Sequence, residues 1–164
     1  MKLDKKLNKN LAFLIFPGII WLVSACKQEA KPVEIIQRFA SGEISRRHFE
    51  VNGKKEAMMT EYYRNGQVRS ERFFKNDLQT GRTVFYYPDG KIKEVQYFDE
   101  NGLKQGGDST FYEDGSLQML LNFENGENHG YLRKWSPEGA LIYEARYERD
   151  TLVEVKGKLL EKRR

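Results

Sequence analysis

"FYYPDGKIKE" runs from Phe85 to Glu94. It combines three aromatics, a Pro-Asp-Gly turn signal and a tail in which apolar and charged residues alternate. Proline presets φ for the first turn position, Asp89 suits the second, and Gly90 accepts a positive φ. That is the chemistry of a type I turn closed by a left-handed glycine, the three-residue hairpin loop with a bulge. In this register the residue three before the glycine faces the residue one after it. One step out, Tyr86 faces Ile92. A related stretch, "FYEDGSLQM", begins at Phe111.

Outward from this turn the pattern recurs. Gly66, Gly90, Gly115 and Gly139 are spaced 24, 25 and 24 apart, and Gly42 lies a further 24 upstream as the start of a half repeat. Before the four glycines stand Asn65, Asp89, Asp114 and Glu138. Four residues before each is an aromatic (Tyr62, Tyr86, Phe111, Trp135), and two after is an aliphatic (Val68, Ile92, Leu117, Leu141). A second glycine closes three units, at Gly81, Gly106 and Gly130. Helical repeats run longer, roughly 33 residues and up, and lack a two-residue alternation. Two turn signals per period therefore predict an all-β fold, an elongated twisted antiparallel meander of about nine strands.

Side chains alternate faces along a strand. The bulged register alone places Tyr86, Ile92 and Phe98 on one face. Phe111, Leu117, Met119 and Leu121 are expected there too, as are Trp135, Leu141 and Tyr143. Arg69, Lys93, Gln118 and Glu144 are expected opposite. A second aromatic row, Tyr63, Tyr87 and Tyr112, also faces away from the first and is the candidate interaction surface.

The amino terminus has a separate logic. Lys2, Lys5, Lys6 and Lys9 precede the 13-residue apolar run Leu11–Val23, and small residues Ser24 and Ala25 precede Cys26. This is the layout of an export signal, and the run is shorter than the roughly 18 apolar residues of a spanning helix. Cys26 is the single cysteine. Its setting resembles the lipobox of bacterial lipoproteins, which implies a lipid-modified first residue of the mature protein, held at a membrane surface by acyl burial. From Lys27 onward Lys and Arg number 24 (28 less four) and Asp and Glu 23 (24 less one), a net charge of +1. The basic balance lies in the leader, which removes the argument for nucleic acid. The expected organisation is a signal peptide over 1–25, lipidated Cys26 and a tether over 26–41, repeats over 42–157 and a charged tail over 158–164.

The unit "YYPDGKIKEVQYFDENGLKQG" resembles the MORN-repeat variant family, with an aromatic four before Asn/Asp-Gly, an aliphatic two after, and a further aromatic before the return turn. The resemblance covers about Gly42 to Gly157. It implies a hairpin array used as a scaffold or interaction surface. Similar bacterial proteins are often labelled antitoxins, a role that fits an exported chain only as immunity to an exported toxin.

No catalytic constellation stands out. His48 and His129 lack metal-ligand spacing, and neither a phosphate-cradling glycine loop nor a nucleophile elbow occurs. Asp89 and Asp114 recur at one repeat position, which marks architecture rather than a unique catalytic role. No cofactor or metal is expected. The reading is a non-enzymatic lipoprotein of the bacterial cell envelope that binds an unidentified protein partner. Immunity protein and glycan-binding protein or hydrolase are the alternatives.

Overall fold

The computed structural model describes residues 30–155 and the backbone of 158–159. The leader, Cys26 and residues 160–164 lie outside the described residues. Among the described residues, twelve strands form one antiparallel sheet whose spatial order is the chain order. They are β1 (Val33–Arg38), β2 (Ile44–Val51), β3 (Lys54–Tyr62), β4 (Val68–Lys75), β5 (Leu78–Tyr86) and β6 (Ile92–Phe98). The second half comprises β7 (Gly106–Phe111), β8 (Leu117–Glu124), β9 (Glu127–Trp135), β10 (Leu141–Glu148), β11 (Thr151–Val155) and β12 (Lys158–Leu159). The count exceeds nine because Gly42 heads a complete hairpin, β1–β2, and because β11 and β12 extend the far end. The sheet thus takes in Val33–Arg38, inside the stretch read as a tether.

Each glycine-headed turn has the expected geometry. Gly90, at φ 88°, donates its N–H to the Tyr87 carbonyl at 2.9 Å, and the Tyr87 N–H bonds the Lys91 carbonyl at 2.8 Å. The Asp89 carboxylate accepts the Lys91 N–H at 3.0 Å, an Asx turn that completes the corner. Tyr86 lies opposite Ile92, as Tyr62 does Val68, Phe111 Leu117 and Trp135 Leu141.

Beyond that pair the sequence expectation fails. Phe85 pairs with Glu94, not Lys93, so Lys93 is an extra residue in the outgoing strand. Ser45, Arg69, Gln118 and Ile142 are extra at the same place in the other hairpins. A one-residue slip flips every later side chain to the other face. The single aromatic–aliphatic face is therefore corrected. Tyr86 shares its face with Val84 and Glu71, and its hydroxyl donates to the Glu71 carboxylate at 2.7 Å.

The two faces differ along the sheet. One, here called the front, carries Glu61, Ser70, Phe85 and Glu94 across β3–β6, then Thr110, Met119, Lys134 and Tyr143 across β7–β10. The first four include the carboxylates Glu61 and Glu94, and the second four include one charged residue, Lys134, beside Met119 and Tyr143. The back carries Thr60, Glu71, Val84, Val95, Ser109 and Leu120 in register. The buried apolar residues are only Met59, Val84, Val95 and Ala145 among those described. Thr83 and Ser70 are fully buried, and so nearly is Asp108. A single-layer sheet covers mid-strand positions with neighbouring side chains rather than with a second layer, so small polar residues are enclosed along with aliphatics.

A thin sheet needs other support, and it comes from its two turn margins. At the return turns, the Asp77 N–H bonds the Lys55 carbonyl at 3.0 Å, Gly126 bonds Lys104 at 2.9 Å, and Asp150 bonds Asn128 at 3.0 Å. Each ties one hairpin to the preceding unit. Most return turns are two-residue turns with both φ values positive, as at Asn76–Asp77 and Asn125–Gly126. The turn from Asp99 to Leu103 is longer, closed by the Asp99 N–H on the Leu103 carbonyl at 2.9 Å. Its added residue accounts for the 25-residue step between Gly90 and Gly115.

Candidate functional site

The opposite margin, built by the glycine-headed turns, holds the tyrosine row. The Tyr63 hydroxyl donates to the Tyr86 carbonyl at 2.7 Å, Tyr87 to Phe111 at 2.6 Å, and Tyr112 to Trp135 at 2.8 Å. Each tyrosine reaches one unit ahead and binds the backbone at the next unit's aromatic position. The hydroxyls are thus committed to the array, while the rings stay half-buried. Burial pushes the Tyr87 hydroxyl above its ordinary range, and the nearby charges of Glu113 and Asp89 add to that. Tyr86 is raised by burial too, with its bond to Glu71 second. The Lys91 ammonium and the Asn65 amide make parallel links, to the Glu113 carbonyl at 2.7 Å and the Pro88 carbonyl at 3.3 Å.

The end units depart from this rule. Phe39 takes the tyrosine position in the first hairpin, and the Arg64 guanidinium stacks on its ring at 5.3 Å. Ser136 takes it in the β9–β10 hairpin, where its N–H bonds the Ala140 carbonyl at 2.8 Å.

At three of the junctions between consecutive hairpins the residue at the strut position walls a cleft. One lies between Phe39, Ser45, Arg46, Glu61 and Arg69. The next repeats it one unit on, with Tyr63, Arg69, Phe85, Lys93 and Glu94. A third, lined by Tyr112, Gln118, Met119, Lys134, Trp135 and Ile142, is the widest at about 440 Å³, against about 140 and 100 Å³ for the others. The same repeat positions line all three. Charged side chains line the two narrower clefts, and Met119, Trp135 and Ile142 join Lys134 in the widest, so equivalent positions present different surfaces. Leu141 and Ile142, 51% and 54% exposed, flank the widest cleft.

Two ionic groups stiffen the front face beside the narrower clefts. Glu61 bonds Arg46 at 2.7 Å, contacts Arg72, and accepts the Ser70 hydroxyl at 3.1 Å. Burial pushes the Glu61 carboxyl up, but Arg46, Arg72 and Ser70 together outweigh it and hold the group below the usual carboxylate range. In the second group, Asp108 pairs with Lys104 at 2.6 Å, and Gln96 bridges Asp108 and Glu94. Burial raises the Glu94 carboxyl, and the Asp108 charge raises it further. Among the described residues, no group of three His, Cys, Asp or Glu side chains is placed to hold a metal ion. No helix there is long and apolar enough to cross a membrane.

The structure thus puts Tyr63 and Tyr112 on cleft walls with Tyr86 and Trp135 beside them, while Tyr87 is placed by its bond to the Phe111 carbonyl alone. Gly66, Gly90, Gly115 and Gly139 set the turns. Sequence reasoning missed the extra residues Arg69, Lys93, Gln118 and Ile142 as cleft walls. The available signal was their variety, since arginine, lysine, glutamine and isoleucine stand there while the preceding position is aliphatic in all four units.

Residues 55–76, 79–100 and 109–125 match the family model described as the MORN repeat variant. These stretches span β3–β4, β5–β6 and β7–β8. The same turn and the same extra residue occur in β1–β2 and β9–β10, so the repeat geometry extends one hairpin beyond the match on each side. No curated protein matches the sequence.

Proposed function

We propose, from the premise that this chain carries MORN repeat variants, that it is a non-enzymatic interaction module displaying a row of clefts to a protein partner. The support for this is the recurrence of clefts lined by equivalent repeat positions at three junctions between hairpins, with more apolar side chains in the widest. A repeated surface with varied chemistry suits an extended partner that touches several units. Asp89, Asp99 and Asp114 each accept the N–H two residues on within their own turns, and the Ser70 hydroxyl held by Glu61 is fully buried, which supports a binding role over a catalytic one. The lipid on Cys26 would hold this surface at a membrane of the bacterial cell envelope. Support for that part is the order of the leader, with its lysines, apolar run, Ser24-Ala25 and cysteine.

A photo-reactive residue replacing Gln118, at the widest cleft, should give one reproducible adduct in cells. The same probe at Glu127, on the return-turn margin, should give none. Equal adducts at both positions, or none at Gln118, would overturn the reading. For the anchor, Cys26→Ser should abolish acyl labelling and release the protein from membranes. Membrane retention without labelling would show a different attachment.

A further inference from the structure

The outer side of β1 has no strand beside it among the described residues. Its backbone orientation can be followed from the adjoining turn. The Phe39 N–H bonds the Glu43 carbonyl at 2.9 Å, so Phe39 points its polar backbone groups across the hairpin. An extended strand alternates the side to which these groups point. Gln37, Ile35 and Val33 therefore face β2, while Arg38, Ile36 and Glu34 direct their N–H and C=O outward. The exposed side chains Val33 and Ile36, 58% and 41% accessible, lie on this strand. An open strand with unpaired groups and apolar side chains is a template for another strand.

We propose that two copies of this chain pair through β1, antiparallel, about a two-fold axis at Ile36. In that register Ile36 faces Ile36, and Glu34 faces Arg38 of the second copy in both directions. Val33 faces Phe39, which covers the most exposed apolar residue of the strand. The outward-pointing residues 34, 36 and 38 meet one another, which the hydrogen-bond alternation requires. A register two residues shorter also satisfies the alternation, but it sets Glu34 against Ile36 and leaves both charges without partners across the seam. Glu34 already contacts Arg47 at 3.1 Å, and the Arg38 guanidinium bonds the Gly42 carbonyl at 2.8 Å, so both charged groups are held near the seam. Isologous pairing of this kind closes at two subunits at this edge. It would join two cleft rows into one continuous sheet.

Single-cysteine cross-linking in the full chain, in a Cys26→Ser background, tests the register. Facing residues of an antiparallel hydrogen-bonded pair lie about 5.5 Å apart at Cα, within disulfide reach. Ile36→Cys should oxidise to a dimer of twice the monomer mass. Glu34→Cys and Arg38→Cys should stay monomeric alone and cross-link when the two chains are co-expressed. Cross-linking at every position alike, or at none, would overturn the proposal. Ile36→Pro provides the second arm. It removes an outward N–H that β2 does not use, so the β-sheet circular dichroism should persist while the dimer is lost in sedimentation. A dimer that survives this substitution would also overturn it.

Discussion

Ala57 sits at φ 63°, in the repeat position that Gly81, Gly106 and Gly130 fill at 68°, 71° and 86°. A Cβ in the left-handed region costs roughly 1–2 kcal/mol, and glycine's extra freedom when unfolded offsets part of that. Ala57→Gly should therefore raise stability by about 0.5–1 kcal/mol in urea unfolding. A loss would show that Ala57 makes contacts worth more than the strain. Glu94 gives a pH test. Its folded pKa is raised, so the folded state holds a proton that the unfolded state releases as pH passes 4.5. Its contribution is present below that value and declines as pH rises through the folded pKa. Glu94→Gln should flatten that decline, read as Tm against pH from 4 to 8. Glu61 has the opposite sign, with stability present above 4.5 and lost on acidification. The turn residues were legible from sequence because Pro88-Asp89-Gly90 act on their own backbone. The Glu94–Asp108 group was not, since it joins residues of different strands across the sheet.

At the scale of the hairpin, two irregularities act together. The glycine bulge was legible from its residue types, and it set Tyr86 opposite Ile92 correctly. The extra residue at Lys93 was not, because lysine is a common strand residue and nothing local marks it as unpaired. That one residue redistributes the aromatics over both faces and opens the cleft beside the tyrosine strut. The tyrosine row was legible as a row on the other face, but its bonds to the next unit were not, because they depend on how closely hairpins approach. Each strut is a hydroxyl-to-carbonyl bond worth about 0.5–1.5 kcal/mol net. Tyr87→Phe should lower stability by about 1 kcal/mol. Tyr97→Phe, whose ring is exposed, should change it by less than about 0.5 kcal/mol. Equal losses would remove the strut from the account.

At the scale of the whole molecule, the strands make their main contacts with their neighbours in sequence. The all-β repeat and its period were legible because every unit restates the same turn. The strand count was not, because Gly42's unit lacks the aromatic spacing upstream that marks the others. An array of this kind behaves as a chain of nearest-neighbour units, in which a local fault loosens adjoining units first. The margin bonds are the couplings between those units. Hydrogen exchange on Tyr87→Phe tests this most directly. Faster exchange is expected for the amides of β5–β8, on either side of the lost bond, with β2 and β3 unchanged. A uniform loss of protection across all strands, or none, would contradict it.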